Sequence, residues 1–266
     1  MRQLAVVGNL SRDLVDGGPP RAGGAPFHAA RALRVLGRPA LVAAKCADSD
    51  RDSLLAPLVR LGLPVLWRGG SSTATFSFRY DGDRRTMAVD ALGDPWTTAD
   101  LQGLERADWV HVGALARSDF PAGTLAVLAR DRRLSFDGQG LVRPDRTGPL
   151  ELDADYDPEV LRHVSILKLA KEEAQALIGE PDVDALRSLG VPEVVVTLGS
   201  EGSLVLTDGK LERVPARPVG GGIDPTGAGD AFAAVYLASR STGHAPAAAA
   251  RRATALVAGL LGGRLR

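Results

Sequence analysis

The hydrophobic pattern opens on LAVVGN, Leu4–Asn9, a short apolar run that reads as a buried strand. A glycine- and proline-rich segment follows, from Gly17 to Pro26. PFHAARALRVLG then has helical spacing. Phe27, Ala30, Leu33 and Leu36 share a face, Pro26 suits the helix start and Gly37 its end. ALVAAKC reads as the next strand, and SLLAPLVRLGL as the next helix, disturbed by Pro57. Strand, helix, strand, helix is the order of a parallel sheet covered by helices.

Residues 71–90 break that order. TATFSFRY alternates, with Phe76, Phe78 and Tyr80 on one face. DGD is a hairpin turn signal, and RRTMAV returns as the partner strand. An aromatic-faced hairpin needs something to cover. The expectations are a lid over a pocket, and a homodimer through that lid. The α/β alternation then resumes. ADWVHVGAL and LSFDGQG read as strands around the helix PAGTLAVLARD. HVSILKLA is a strand and KEEAQALIG a helix; EVVVTLGSEGSLVLTDG is two strands about a glycine turn. GDAFAAVYLASRSTG is a helix, and Pro246 starts another that reaches Leu261. Several glycine or acidic turns follow the ends of these strands, where open α/β sheets bind ligands.

Composition narrows the function classes. Hydrophobic residues make up 45% of the 266 and charged residues 24%, ordinary for a soluble globular chain. One domain, residues 1–266, with the hairpin as an insertion, accounts for the whole pattern. The formal net charge is zero, which gives no global reason to bind nucleic acid or an anionic membrane. Cys46 is the single cysteine, so neither an internal disulfide nor a cysteine zinc site forms, and a cytoplasmic setting is expected.

The chemistry concentrates in GGGIDPTGAGDAFAAVYLASR, Gly220 to Arg240. Small residues admit close approach to the backbone. A helix that starts at Gly227-Ala228-Gly229-Asp230 aims unpaired N–H groups at one spot, where an oxyanion or phosphate is stabilised without a basic side chain. Asp230 in the first turn is expected to stay ionised, because the helix dipole favours negative charge there. A carboxylate beside a phosphate pocket repels the phosphate unless it has work to do. The work that fits is taking the proton of a hydroxyl that attacks phosphorus. A Walker P-loop is excluded, since Asp230-Ala231 stands where Lys-Ser/Thr is needed. GNLSRD after the first strand also lacks the Rossmann glycines.

DPTGAGDAF is similar to the C-terminal signature of the ribokinase-like, or PfkB-type, carbohydrate kinases. Other pieces resemble that family in type and order: GNLSRD, AGGAPFHAARALRVLG, the 71–90 hairpin in the place of the β-lid, LKLAKEEAQALIG and VVVTLGSEGSLV. The wording of LKLAKEEA and DPTGAGD leans towards the inositol-kinase-like branch. The resemblance implies a mainly parallel sheet with helices on both faces and a small β-hairpin lid. It also implies ATP-dependent phosphorylation of an alcohol on a sugar or polyol. Asp230 is then the base, with Gly227, Ala228 and Gly229 as the anion hole. Thr197, Gly199, Gly202, Lys168 and Thr226 belong to the nucleotide side. Glu173 organises Mg2+ through water. Asp13, Gly23, Gly24 and His28 face the substrate, together with Asp230. Asp224 offers one carbonyl for the family's monovalent-cation site.

Three departures stand out. His28 replaces the family's usual Asn, Ala170 replaces the Asn of the Asn-x-x-Glu element, and DGQGLVR at Asp137 lacks the Asp-Pro-Asn wording. Two other readings use the same residues. One is a nucleoside kinase, for which the sequence offers no base-stacking pair. The other is a non-catalytic binding or regulatory protein, which Ala170 and His28 favour and intact Asp230 opposes.

Overall fold

The computed structural model describes residues 3–81, 84–219 and 225–263, and excludes the side chains at 80–85. Asp224, Tyr80 as the third aromatic of the hairpin face, and the glycines 220–222 therefore lie outside the described set.

Strand β1 (Leu4–Asn9) leads directly into two short strands, β2 (Ser11–Val15) and β3 (Arg21–Gly23). Helix α1 (Ala25–Leu36) precedes β4 (Leu41–Ala47), and α2 (Arg51–Val59) precedes β5 (Val65–Gly70). The hairpin is β6 (Ala74–Asp81) and β7 (Arg84–Ala91). Next come β8 (Trp109–Gly113), α3 (Ala122–Leu128), β9 (Arg133–Asp137), the single turn α4 (Gln139–Val142) and β10 (Gly148–Pro149). β11 (Ile166–Ala170), α5 (Lys171–Ile178), α6 (Val183–Ser188) and β12 (Glu193–Thr197) continue the alternation. The chain closes with β13 (Ser203–Thr207), β14 (Lys210–Val214), α7 (Ala228–Ser241) and α8 (Pro246–Leu261).

The central sheet runs β14-β13-β12-β11-β9-β8-β1-β4-β5. All its pairings from β12 to β5 are parallel, and β13 and β14 add antiparallel pairs at one edge. β1 is buried along its whole length, as a parallel strand covered on both faces must be. Its side chains divide between the faces with period 2. Ala5 and Val7 join the cluster that includes Leu125, Phe136 and Leu167, while Leu4 and Val6 join the one beneath α1, α7 and α8. Gly37 ends α1 in the left-handed conformation that its sequence position implied.

The lid is larger than the hairpin. A second sheet has the order β10-β7-β6-β2-β3, so the segment read as a glycine- and proline-rich connection supplies part of it. β2 lies parallel to β6 and β3 antiparallel to β2. Phe76, Phe78 and Val89 are buried with Leu115, flanked by Val15, Met87 and Leu150. The opposite face is polar, with a Ser77–Asp90 hydrogen bond and exposed Arg79 and Thr86. Burying each phenylalanine contributes roughly 1.5–3 kcal/mol. That burial is achieved against the chain's own body. The aromatic face therefore supports the substrate-side lid, and it no longer supplies the reason for a homodimer through the lid.

Candidate active site

Asn9, Ala47, Gly113, Asp137, Ala170 and Thr197 end parallel strands at one edge of the sheet. The site lies over that edge, beneath the lid. A cavity of about 140 Å³ is lined by Asp13, His28, Phe76, Arg143, Gly227 and Asp230, among others. Ser11 Oγ donates to Asp13 Oδ1 at 2.7 Å and fixes that carboxylate. Gly23 is not among the residues lining this cavity, but a Cβ there would collide with Asp13. Gly24 has φ +89° and heads α1; a Cβ there would strike the Asn9 carbonyl. The two glycines are thus what allows Asp13 and the start of α1 to meet. Gly24, Thr226 and His28 also line this cavity.

The turn before α7 forms the other wall. Gly227 sits at φ +75° as the residue heading that helix, and a Cβ on it would overlap the His28 ring. Asp230, in the first turn, is buried, and its Oδ1 has no hydrogen-bond partner among the described residues. Burial foremost, and then the Asp137 carboxylate, push its pKa up to about 7; Lys168 and Arg143 pull the other way. The ionised state expected from the helix dipole is therefore not secured at neutral pH. The dipole term is worth about 0.3–1 kcal/mol at an exposed terminus, and loss of hydration outweighs it here. For a base in the free enzyme, kcat/KM should fall as pH drops through about 7. A pH profile flat well below neutrality would remove Asp230 as the titrating base.

Behind the turn lies a charged cluster that the sequence does not announce. Lys168 and Asp137 are register partners on adjacent parallel strands. Lys168 Nζ stands 3.3 Å from Asp137 Oδ2 and 4.0 Å from Glu173 Oε2. A Cβ on Gly229 would come within 3.0 Å of that ammonium. Burial would lower the Lys168 pKa, but Asp137, Glu173 and Asp230 outweigh it and hold the group charged. Burial raises the pKa of Glu173, whose Oε2 also accepts the Ala170 N–H at 2.7 Å. Lys168 and Glu173 do not line this cavity; they support the turn from below.

A second space, about 580 Å³, opens on the far side of the turn. Thr197, Gly199, Gly202 and Ala228 line it, with Phe232, Val257, Ala258 and Leu261 from α7 and α8. The two spaces share Pro225 and Gly229. Two ligands would therefore meet across the Gly227–Gly229 turn, with Asp230 on one side. Residues 14–260 match the pfkB family of carbohydrate kinases.

The chain belongs to that family. A fructokinase of Rhizobium leguminosarum bv. trifolii is 29% identical to it over 252 residues, 88% of this chain and 77% of that protein. A cytidine kinase of Thermococcus kodakarensis is 42% identical over 91 residues, 32% of each chain. A pyrophosphate-dependent kinase in the ribokinase family, solved with a pyrophosphate analog and myo-inositol, superposes with a TM-score of 0.86. It is 26% identical, over 97% of this chain and 95% of that one. The fold is ribokinase-like, and the chain is a phosphotransferase of the pfkB carbohydrate kinases.

Within this pfkB chain, the described residues singled out from sequence gather on the two sides of one turn, apart from Lys168 and Glu173, which lie behind it, and Gly23, which packs against Asp13. Sequence reading missed Arg143, Gln139, Met87 and Leu115 in the acceptor cavity, and Asp137 beneath it. For Asp137 a signal existed, an acid at the end of an apolar strand, but the wording around it differs from the family's.

Proposed function

We propose that this kinase transfers the terminal phosphoryl group of ATP to a hydroxyl of a small sugar or polyol. Asp230 takes the hydroxyl proton, and the N–H groups of Gly227 and Gly229 receive the charge on the phosphoryl oxygens; the Ala228 N–H, also expected in the anion hole, already donates to the Pro225 carbonyl at 3.0 Å. The observation that carries the reading is the meeting of two cavities at this turn, with a buried carboxylate beside it whose Oδ1 has no described partner. Phosphoryl transfer needs chiefly positioning and charge stabilisation, and both elements are present.

The acceptor cavity, about 140 Å³, falls below the usual ligand-pocket range of about 300–1,000 Å³. It suits one small ring better than a ring with a base attached. That favours a sugar or polyol over a nucleoside, despite the likeness to a cytidine kinase over a third of the chain. The donor cleft is wide, and apolar at Phe232, Val257 and Leu261, which suits the base of a nucleotide better than pyrophosphate. Asp137 and Glu173 have the oxygen chemistry for Mg2+, an ion that keeps several waters and binds through one or two carboxylates plus phosphate oxygens, but both are paired with Lys168 behind the turn and line neither cavity, so they would hold the ion only through water. When bound, it supplies neutralisation of phosphate charge. A cytoplasmic setting remains part of the proposal; the homodimer through the lid has lost its argument, because the aromatic face is buried within the chain, and sedimentation should show a monomer.

The direct test is a panel of sugars, polyols and nucleosides, each offered with ATP and with pyrophosphate. Product should form from ATP with a small sugar or polyol. Preference for a nucleoside, or for pyrophosphate, would correct the acceptor or the donor. No phosphorylated product from any pair would favour a binding or regulatory role.

A further inference from the structure

Three of the connections between the body and the lid meet at one residue. β1 runs into β2 at Asn9, β5 runs into β6 through residues 71–73, and β7 returns to the body through residues 92–94. Asp94 Oδ2 accepts the Ser71 N–H, and the Ser72 N–H at 3.2 Å. Ser71 Oγ also donates to the carboxylate, 3.0 Å from Oδ1 and 3.1 Å from Oδ2. The Asp94 carbonyl accepts from Asn9 Nδ2 at 3.2 Å. Ser72 Oγ donates to the Leu92 carbonyl and joins the second connection to the third. Asp94 thus lies on the third connection, holds the first through its carbonyl and holds the second through its carboxylate.

Small residues make this crossing possible. A Cβ on Gly70 would collide with the Asp94 carboxylate, and one on Gly93 with the Asn9 amide. The residues after Asp94 are fixed to the body. Lys45 Nζ donates to the Pro95 carbonyl at 2.8 Å, and Trp96 Nε1 donates to Asn9 Oδ1 at 2.9 Å. Burial raises the Asp94 pKa, but the bonds from Ser71 and Ser72 and the Lys45 charge outweigh it and hold the carboxyl below its usual range. Hydrogen bonds to an ionised acceptor are roughly twice as strong as neutral ones. What the connections carry lines the acceptor cavity: β2 brings Asp13, and β6 brings Phe76 and Phe78. Asp13 and Phe76 are register partners. Asp94 itself is not among the residues lining that cavity.

We propose that Asp94 is a positioning residue for the acceptor: it ties the three connections together and so sets where Asp13 and the two phenylalanines stand over the cavity. The inference rests on the acceptor reading above. Thr73 pins the lid separately, since its Oγ1 accepts the Ala47 N–H at 2.9 Å and donates to Asp50 Oδ2 at 2.6 Å. Loss of the Asp94 tie therefore loosens the lid and does not detach it. An acceptor that needs the ordered lid then binds in proportion to the fraction of chains that have it.

The test uses the full chain with Asp94→Asn and Gly70→Ala, whose melting curves check the fold. The first keeps the shape and removes the charge that the Ser71 and Ser72 N–H groups face. The second leaves the carboxylate in place chemically and pushes it off its partners. Steady-state kinetics are joined by amide hydrogen exchange. Each variant should raise the acceptor KM by about 10-fold, the scale of losing bonds to a charged group, with kcat and the donor KM little changed. Amides of residues 71–78 should exchange about 10-fold faster, while those of β11 and β12 keep their protection. A role in stability alone would lower the melting temperature, speed exchange throughout the chain and leave the acceptor KM as it was. An acceptor KM near wild type in both variants, an equal rise in the donor KM, or unchanged lid exchange would overturn the proposal. If Asp94→Asn does not fold, Gly70→Ala alone decides by the same readouts. If the wild-type chain phosphorylates nothing in the panel, the kinase reading fails separately. Hydrogen exchange then decides: equal lid exchange in wild type and variants overturns the tie, and faster exchange confined to the lid upholds it.

Discussion

Asp230→Asn is expected to lower kcat by about 10²–10⁴-fold while the chain stays folded and the donor cleft stays open. Asparagine keeps the shape and loses the basic oxygen. The donor should bind at least as well, because a negative charge beside its phosphates is gone. Stability should move in the opposite direction to activity. Burial and Asp137 raise the folded-state pKa of Asp230 to about 7. In the unfolded chain it lies near ~3.9. The folded state therefore holds the proton more tightly, so wild-type stability falls as pH rises between those two values. A neutral amide at this position carries no such penalty. The variant should melt higher than wild type at about pH 8, and the difference should close towards about pH 4. If Asp230 served only the helix dipole, the variant would instead lose about 0.3–1 kcal/mol and turn over normally. Melting curves at several pH values, with kcat and ATP affinity on the same preparation, separate the two. A folded variant that turns over within a few-fold of wild type would end the catalytic assignment.

What was legible in the sequence was local. The alternation of apolar runs gave the strands and helices of the main sheet, because a strand buried on both faces must be apolar throughout. TATFSFRYDGDRRTMAV gave the hairpin by its period of two. GAGDAF gave the turn and its acid by spacing alone. What was hidden depends on distant partners. SRDLV is too short and polar to read as a strand by itself, and becomes one because β6 lies parallel to it, more than 60 positions later. Asp137 and Lys168 are 31 positions apart, and only the β9–β11 pairing brings them together. Arg143 follows a single helical turn, so no periodicity marks it. The state of Asp230 was misjudged for the same reason. The dipole is read from the helix start, whereas the burial that outweighs it depends on elements far away in the sequence, since α1, β1, β8 and β9 all pack against α7. Glu173 shows the converse. Ala170 offers no side-chain cap, and Glu173 accepts the Ala170 N–H instead. A residue assigned from the family pattern to the metal therefore also closes its own helix start.

Gly227→Ala should abolish most turnover without unfolding the chain. The residue has φ +75°, a region that costs a non-glycine residue of order 1–3 kcal/mol. The larger effect is steric. A Cβ at this position would overlap three atoms of the His28 ring, so either the ring or the turn must move. His28 extends from α1, which packs against α7, so neither helix yields easily. If the turn moves, the N–H groups that receive the phosphoryl charge leave their aim. A displacement of about 1 Å at such a site costs on the order of 10²-fold in rate. The double variant Gly227→Ala with His28→Ala isolates the cause. It removes the ring that the new methyl strikes and keeps the backbone strain. Rate recovery beyond the product of the two single effects would show that the ring contact carries the loss, as expected for coupled neighbours. Strictly additive losses would assign the effect to backbone strain alone. A Gly227→Ala chain with wild-type kcat would show that the turn does not need this geometry to receive the phosphoryl group.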